Sequence, residues 1–340
     1  MNGDTKFYLG IDVSKPYFDL SVMSVVNHQK QPMNTERFEN TEQGIKLFHK
    51  YLKNHKVSFN TDTLLVIENT GVYHRLIWRF CSEHSLPINI GNAAHIKWSF
   101  GLVRGKNDII DSKRLCNYAH KHADEIKATA PLNPVFIEIK DLMTARSNLL
   151  KQQGNIKKYL NELKLSNSKP VQKLMEDAHK AALEGLEKSI KIVEAQLMKI
   201  VVKDTAIATN YNLIVTVPGI GHLTALYIIS CTNNFAGSIS GKQLACYAGV
   251  VPFKDTSGIS IKGRERVHKM ANKELKKMLH LCAMSTLRYY PEFKDYYERK
   301  KKEGKNGMSI MNAIRNKLVL RVVAVVNSKK PYVNNHKAVA

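Results

Sequence analysis

Four acids sit where the local pattern gives little reason for a carboxylate. Asp12 interrupts the apolar run Leu9-Gly10-Ile11-Asp12-Val13, and burying such a group without a partner is costly. Glu68 closes the aliphatic stretch Leu64–Ile67 just before Asn69-Thr70-Gly71, at a strand end of the kind where α/β sheets present groups to ligands. Asp108 and Asp111 stand three residues apart in Lys106-Asn107-Asp108-Ile109-Ile110-Asp111, a spacing that puts both on one face of a helix start. Taken alone, each acid has a plain structural explanation. Asp12 suits a hydrogen-bonded strand end, Asp108 an N-cap, and Asp111 the favourable end of a helix dipole. Gathered at one sheet edge, however, four carboxylates repel unless a counter-charge intervenes, and hard divalent cations held through oxygen supply it. The pattern points to a two-metal phosphoryl-transfer site, with Mg2+ (or Mn2+) as the metal.

Two further segments suit a phosphate backbone. In Val217-Pro218-Gly219-Ile220-Gly221, which precedes the apolar helix Leu223–Ser230, Gly219 and Gly221 let backbone N–H groups approach a phosphate at a helix start. This resembles the grip of helix-hairpin-helix proteins on DNA; a tight helix–helix turn is the competing explanation. The segment Lys254–Arg266 and the following His268-Lys269 place Ser257 beside Gly258 among basic residues. Lys262, Arg264, Arg266 and Lys269 would pin the backbone. Ser257 is a candidate nucleophile, with Ser260 close enough to compete. No local Ser/His/Asp spacing makes a triad, so activation has to come from elsewhere.

These groups need a scaffold. Phe7–Val13 and Phe18–Val25 read as a β-hairpin around Ser14-Lys15-Pro16, followed by a strand near Glu36–Glu39 and a helix capped by Thr41 through Leu52. A strand at Thr63–Ile67, a helix at Val72–Glu83, a strand at Pro87–Ile90 and a helix at Ile109–His122 complete a mixed sheet flanked by helices. Leu183, Leu186, Ile190, Val193, Leu197 and Ile200 then repeat at heptad spacing, as do Leu142, Arg146, Leu149, Gln153, Ile156, Leu160 and Leu163. With a break at Leu165–Pro170, they predict an antiparallel helical hairpin suited to self-association. Beyond Leu213 come short helices, a Gly/Ser-rich loop at Gly249–Gly263, three basic helices around His268–Leu287, Pro291–Lys302 and Met308–Val326, and a frayed tail.

Bulk properties agree with a polyanion partner. The 340 residues carry a net charge of +23, and residues 211–340 alone hold 22 Lys+Arg against 7 Asp+Glu. The five cysteines are scattered and never form C-x-x-C, which argues for reduced thiols in a cytoplasmic compartment and against a disulfide or zinc scaffold; a polyanion partner would make the location nucleoid-associated. No membrane segment or signal peptide is expected.

Taken in order, G-I-D-V-S-K around Asp12, E-N-T-G-V-Y around Glu68, K-N-D-I-I-D, V-P-G-I-G, Y-A-G-V-V-P at 247–252 and S-G at 257–258 followed by K-G-R resemble the bridge-RNA-guided DEDD transposases of the insertion-sequence 110 class. These are serine recombinases related to the Piv invertases, and the resemblance spans about residues 6–326. It implies an α/β plus α architecture. A RuvC-like, RNase H-fold domain at 1–130 carries the acidic tetrad, a coiled-coil hairpin follows at 131–210, and a mainly helical transposase domain at 211–327 precedes a frayed tail at 328–340. It also implies that Asp12, Glu68, Asp108 and Asp111 hold Mg2+ (or Mn2+) and that Ser257 forms a phosphoserine link. The implied partners are donor and target DNA, a structured non-coding guide RNA and further copies of the chain, as a dimer or tetramer. Ser112 departs from the alanine that commonly follows the last acid. The alternatives are a metal-dependent structure-selective nuclease using water, in which Ser257 is a loop residue, and a non-catalytic architectural protein. An actin-like sugar kinase is disfavoured because no later adenosine motif follows G-I-D-x-S.

Overall fold

The computed structural model describes residues 5–101, 107–165, 168–257, 261–267 and 270–334, with the backbone alone at 254–257 and 261–266. The chain divides into two compact units, Met1–Asn133 and Pro134–Ala340.

In the first unit, β1 (Thr5–Val13) and β2 (Tyr17–Val26) pair antiparallel around a turn that Ser14 closes by donating its hydroxyl to the Tyr17 carbonyl at 2.7 Å. The short β3 (Gln29–Lys30) and β4 (Asn34–Glu39) both pair with β2. On the other side β5 (Thr63–Glu68) runs parallel to β1, and β6 (Ile88–Gly91) parallel to β5. The sheet is therefore mixed, in the order β3-β2-β1-β5-β6. Its alternating side chains feed two layers. Leu9, Ile11 and Ile67 pack with Phe48 and Leu52 of α1 (Glu42–Asn54) and Ile77 and Phe80 of α2 (Arg75–Glu83). Val66, on the opposite face, packs with Ile96 of α3 (Ala93–Ser99) and Leu115 and Ala119 of α4 (Asp108–Lys121). Thr41 caps α1 by accepting from the Gly44 N–H. The second helix starts at Arg75, later than the expected Val72, because Gly71 holds a left-handed turn (φ +58°). Two elements were not expected: β3 has two residues and α3 seven, too short for periodicity to register.

The second unit opens with α5 (Pro134–Leu163) and α6 (Lys169–Lys203), cross-linked antiparallel by Arg146–Glu194 (2.6 Å) and Lys164–Glu176 (3.1 Å). The hairpin is not the separate 131–210 domain that the sequence suggests. Phe136, Ile139 and Met143 at its start and Leu197, Ile200 and Val201 at its end join the core of the following helices. These are α7 (Thr205–Ile214), α8 (His222–Cys231), α9 (Gly241–Tyr247), α10 (Lys273–Tyr289), α11 (Pro291–Lys302) and α12 (Gly307–Ser328). α12 buries one face into this core, from Ile310 to Val326.

Where a loop is expected at Gly249–Gly263, the chain forms β7 (Pro252–Ser257) and β8 (Ile261–Val267), an antiparallel pair with a register shift at 253–255. Its glycines and serines concealed that pairing. At the base, Gly249 (φ +65°) lies so close to Ala271 that a side chain would stand 2.2 Å from its Cβ. Asn272 then caps α10, which starts at Lys273 instead of near His268. The segment expected to fray after 327 is held as far as Tyr332, whose N–H donates to Thr216 Oγ1 at 2.9 Å. Among the described residues no helix is long and apolar enough to cross a membrane.

Candidate active site

The acids of the first unit meet because of one glycine and one register. Pairing aligns Asp12 with Asp19 on β2 and Ile11 with Ile67 on β5, so Glu68, the next residue of β5, lies beside Asp12. α4 sits directly on β1 at Gly10, where a Cβ would stand 2.1 Å from the Cys116 nitrogen and 2.3 Å from the Ser112 carbonyl oxygen. That approach brings the first turn of α4, with Asp108 and Asp111, to the same sheet edge. The helix cap is supplied by Asn107, whose side chain accepts from the Ile109 N–H at 2.8 Å. Asp108 is thus not the cap and faces the cavity with the other three acids, in a space of about 650 Å³.

Burial and like charge act together there. Burial, then Asp108, Asp111, Glu68 and Asp19, push the Asp12 carboxyl up from 3.8 to about 6. An oxygen-only, anionic donor set of this kind suits a hard divalent cation, which would relieve the crowding. Arginines approach Asp111 and Asp108: Arg114 Nη1 lies 2.6 Å from Asp111 Oδ1, and Arg37 Nη2 lies 3.8 Å from Asp108 Oδ2. Among the described residues no three acids, histidines or cysteines close into a finished metal cage.

Sequence reasoning missed the frame around the tetrad. Asp19, only 1% exposed, accepts from Arg37 Nε and Nη2, both at 2.9 Å. The Arg37 guanidinium lies 3.8 Å from the centre of the Tyr17 ring, and the Tyr17 hydroxyl donates to Asp108 Oδ2 at 3.1 Å. The signal was available, since Asp19 interrupts Phe18-Asp19-Leu20 as Asp12 interrupts its own strand, and the hairpin makes them partners. Ser112, the departure noted above, is buried; its hydroxyl lies 2.8 Å from that of Ser21 and donates to the Ile109 carbonyl at 2.9 Å. The site tolerates it as a satisfied pair.

The remaining sequence candidates belong to the second unit. Ser257 ends β7 and is paired with Ile261, so residues 258–260 join the two strands; Ser260 itself lies outside the described residues. Lys262, Arg264 and Arg266 lie on β8, and Lys269 is outside the described residues. Gly219 (φ +76°) packs against α10, where a Cβ would stand 2.5 Å from Thr286 Cγ2 and 2.8 Å from the Cys282 carbonyl oxygen. Its smallness serves helix packing. Gly221, by contrast, is the exposed N-cap of α8 with open space around it.

Comparison with known proteins accounts for both units. A DEDD, IS110-type family described as transposase matches residues 9–165, and the family described as Transposase IS116/IS110/IS902 matches residues 211–298. Two stretches of the chain thus match domains of IS110-type transposases. The chain is an enzyme of the DNA transposase and recombinase class. The chain is also similar to the pilin gene-inverting proteins of Moraxella bovis and Moraxella lacunata, 28% identical in each case over 342 residues, covering 96% of this chain and 98% of theirs. A shorter stretch of 93 residues is 30% identical to the insertion element IS110 uncharacterized 43.6 kDa protein of Streptomyces coelicolor, over 27% of this chain and 23% of that protein. A DEDD domain points to a divalent metal, in keeping with the acidic cavity.

Proposed function

We propose that this chain cuts and rejoins DNA by transesterification through Ser257, with Asp12, Glu68, Asp108 and Asp111 holding Mg2+ (or Mn2+), under the direction of a structured guide RNA. The observation that carries the reading is the convergence of acids from β1, β5 and α4 on one cavity, where burial and then the neighbouring carboxylates raise Asp12 to about 6. The strand order, an antiparallel β4-β2-β1 set continued by parallel β5 and β6, supports a RuvC-like RNase H fold. Bound metal would neutralise charge on the reacting phosphate and ease loss of the attacking hydroxyl's proton.

The chain's own residues do the rest. The Ser257 oxygen bonds to phosphorus, the bond from phosphorus to one strand end breaks, and that end leaves as a hydroxyl carrying the proton. A hydroxyl from the new strand then attacks the phosphoserine and returns the serine. One phosphoester bond is exchanged for another at each step, so no nucleotide energy is needed, and the sequence carries no G-x-x-x-x-G-K-[ST] loop. Gly219 and Gly221 at the start of α8, with Lys262, Arg264, Arg266 and Lys269, would hold the DNA backbone. Specificity would come from base pairing to the RNA. The hairpin of α5 and α6 leaves Leu165, Leu174 and Ile192 exposed, which supports assembly into a dimer or tetramer.

The deciding experiment traps protein–DNA adducts by denaturing electrophoresis. Wild type should give an adduct and Ser257→Ala none, while both bind DNA equally. An adduct from Ser257→Ala removes that serine from the mechanism. Free 5′-phosphate ends without any adduct would identify a water-using nuclease instead. Sequencing the RNA that co-purifies tests the guide; a heterogeneous background with no discrete species counts against it.

A further inference from the structure

Among the described residues no lysine or arginine is as buried as Arg315, which is 5% exposed on a helix whose other buried residues are all apolar. Its Nη2 meets His280 Nδ1 of α10 at 2.8 Å, its Nε has no hydrogen-bond partner, and among the described residues no carboxylate forms an ion pair with it. A guanidinium does not give up its proton near neutrality, so only an anion can relieve its burial. The neighbours make matters worse. Lys276, one turn before His280 on α10, is half-buried, and burial together with the charge of Arg315 pushes both Lys276 and His280 down.

Arg315 can only donate, so His280 Nδ1 is the acceptor of that bond and its ring proton sits on Nε2. Among the described residues, Arg315 Nε, His280 Nε2 and the Lys276 ammonium are then three donors with no protein acceptor. One turn earlier on α12, Asn312 Nδ2 donates to the Val250 carbonyl at 2.8 Å, just before β7 begins. The cluster therefore adjoins the root of the strand hairpin that ends in Ser257.

We propose that Lys276, His280 and Arg315 form a binding site for one phosphodiester group of a nucleic-acid backbone, at the root of the β7–β8 hairpin. The inference rests on the reading that the chain works on nucleic acid, but not on which group is the nucleophile. A phosphate can accept from the half-buried Lys276 ammonium and His280 Nε2, and its charge compensates the enclosed Arg315 guanidinium behind them.

The experiment uses the full chain and follows binding of a fluorescent DNA duplex and of an RNA hairpin over a salt series, with thermal melting alongside. Lys276→Gln should weaken binding several-fold and reduce the slope of log affinity against log salt by about one. Arg315→Met should do the same while raising the melting temperature of the free protein, because it removes an unpaired buried charge. A merely structural arginine would instead give lower melting and unchanged binding. Should Arg315→Met fail to fold, Lys276→Gln and His280→Gln carry the test. Unchanged affinity and slope on both nucleic acids overturns the site. So does protection by inorganic phosphate that the variants lose without any change in nucleic-acid binding. If wild type forms no adduct but Lys276→Gln still lowers the slope, the serine reading fails and this one stands.

Discussion

Asp12 in the first unit faces four other carboxylates, whereas Arg315 in the second faces Lys276 and His280 and is buried more deeply. Both centres crowd like charges, and their means of relief differ. A carboxylate can take up a proton, and Asp12 does so at about pH 6. The guanidinium keeps its charge throughout. The acidic cavity can thus adjust to the solution before any ligand arrives, while the cationic cluster waits for an anion. The frames differ too. Acids are assembled from two parallel strands and a helix pressed onto β1 at Gly10, but the cations need only α10 and α12.

The sharpest way to break that comparison is Asp12→Asn. It should lower strand cleavage by about 100-fold or more, in line with the loss of one preorganised electrostatic group, and leave DNA binding intact in a gel-shift assay. The same variant should melt higher than wild type in metal-free buffer, since it removes the charge that its neighbours oppose. An Asp12→Asn protein that melts no higher would mean that the acids are not in conflict, and the parallel with Arg315 would end there. The second largest effect is expected from Gly10→Ala. A Cβ at 2.1 Å from the Cys116 nitrogen has backbone on its far side and nothing flexible to displace, so overpacking should cost about 2–3 kcal/mol. Denaturant melts should show the loss, and Gly71→Ala, whose Cβ would meet nothing within 4 Å, separates backbone strain from crowding.

The sequence disclosed the acidic centre better than the cationic one for a physical reason. Asp12 and Glu68 stand out locally because each interrupts or ends an apolar strand, and strand alternation alone predicts which face they take. Lys276, His280 and Arg315 are unremarkable in basic amphipathic helices, and their conflict exists only once α10 and α12 pack. The hairpin of β7 and β8 was hidden by glycine and serine, and the shared core of α5, α6 and the later helices by a heptad pattern that reads as self-contained. Gly219 carries a second demand that the sequence did not show: a glycine between helices suggests phosphate approach, and its position against Thr286 and Cys282 adds a packing role.

pH sharpens the comparison further. Asp12 has a folded-state value of about 6 against an ordinary 3.8, so between those values the folded chain binds more protons than the unfolded one. Stability from this group is therefore fully present below about pH 4 and is lost as pH rises through 6. After allowance for solvent screening of a half-exposed carboxylate, the loss should be about 1–2 kcal/mol. Metal-free urea melts at pH 5 and pH 7 should differ accordingly, and Asp12→Asn should abolish the difference. Saturating Mg2+ should reduce it as well, because a cation opposes the same repulsion. If wild type and Asp12→Asn change equally between the two pH values, Asp12 is not the group responsible.

The smallest effect concerns neutral partners, of which each centre has one. Tyr17 donates to Asp108 at 3.1 Å, and His280 accepts from Arg315 at 2.8 Å. Tyr17→Phe keeps the ring beneath Arg37 and removes only the hydroxyl. Asp108 is 45% exposed at its side chain, so water can replace the lost donor, and the expected change in stability is about 1 kcal/mol or less. Position should suffer more than stability, because the 3.8 Å approach of Arg37 alone would then orient the carboxylate. A double-mutant cycle of Tyr17→Phe with Asp108→Asn, read as metal-dependent thermal stabilisation, isolates this term. Coupling of a few tenths of a kcal/mol or more would show that the tyrosine sets the pose of Asp108, and additive effects would leave Arg37 as its guide among the described residues.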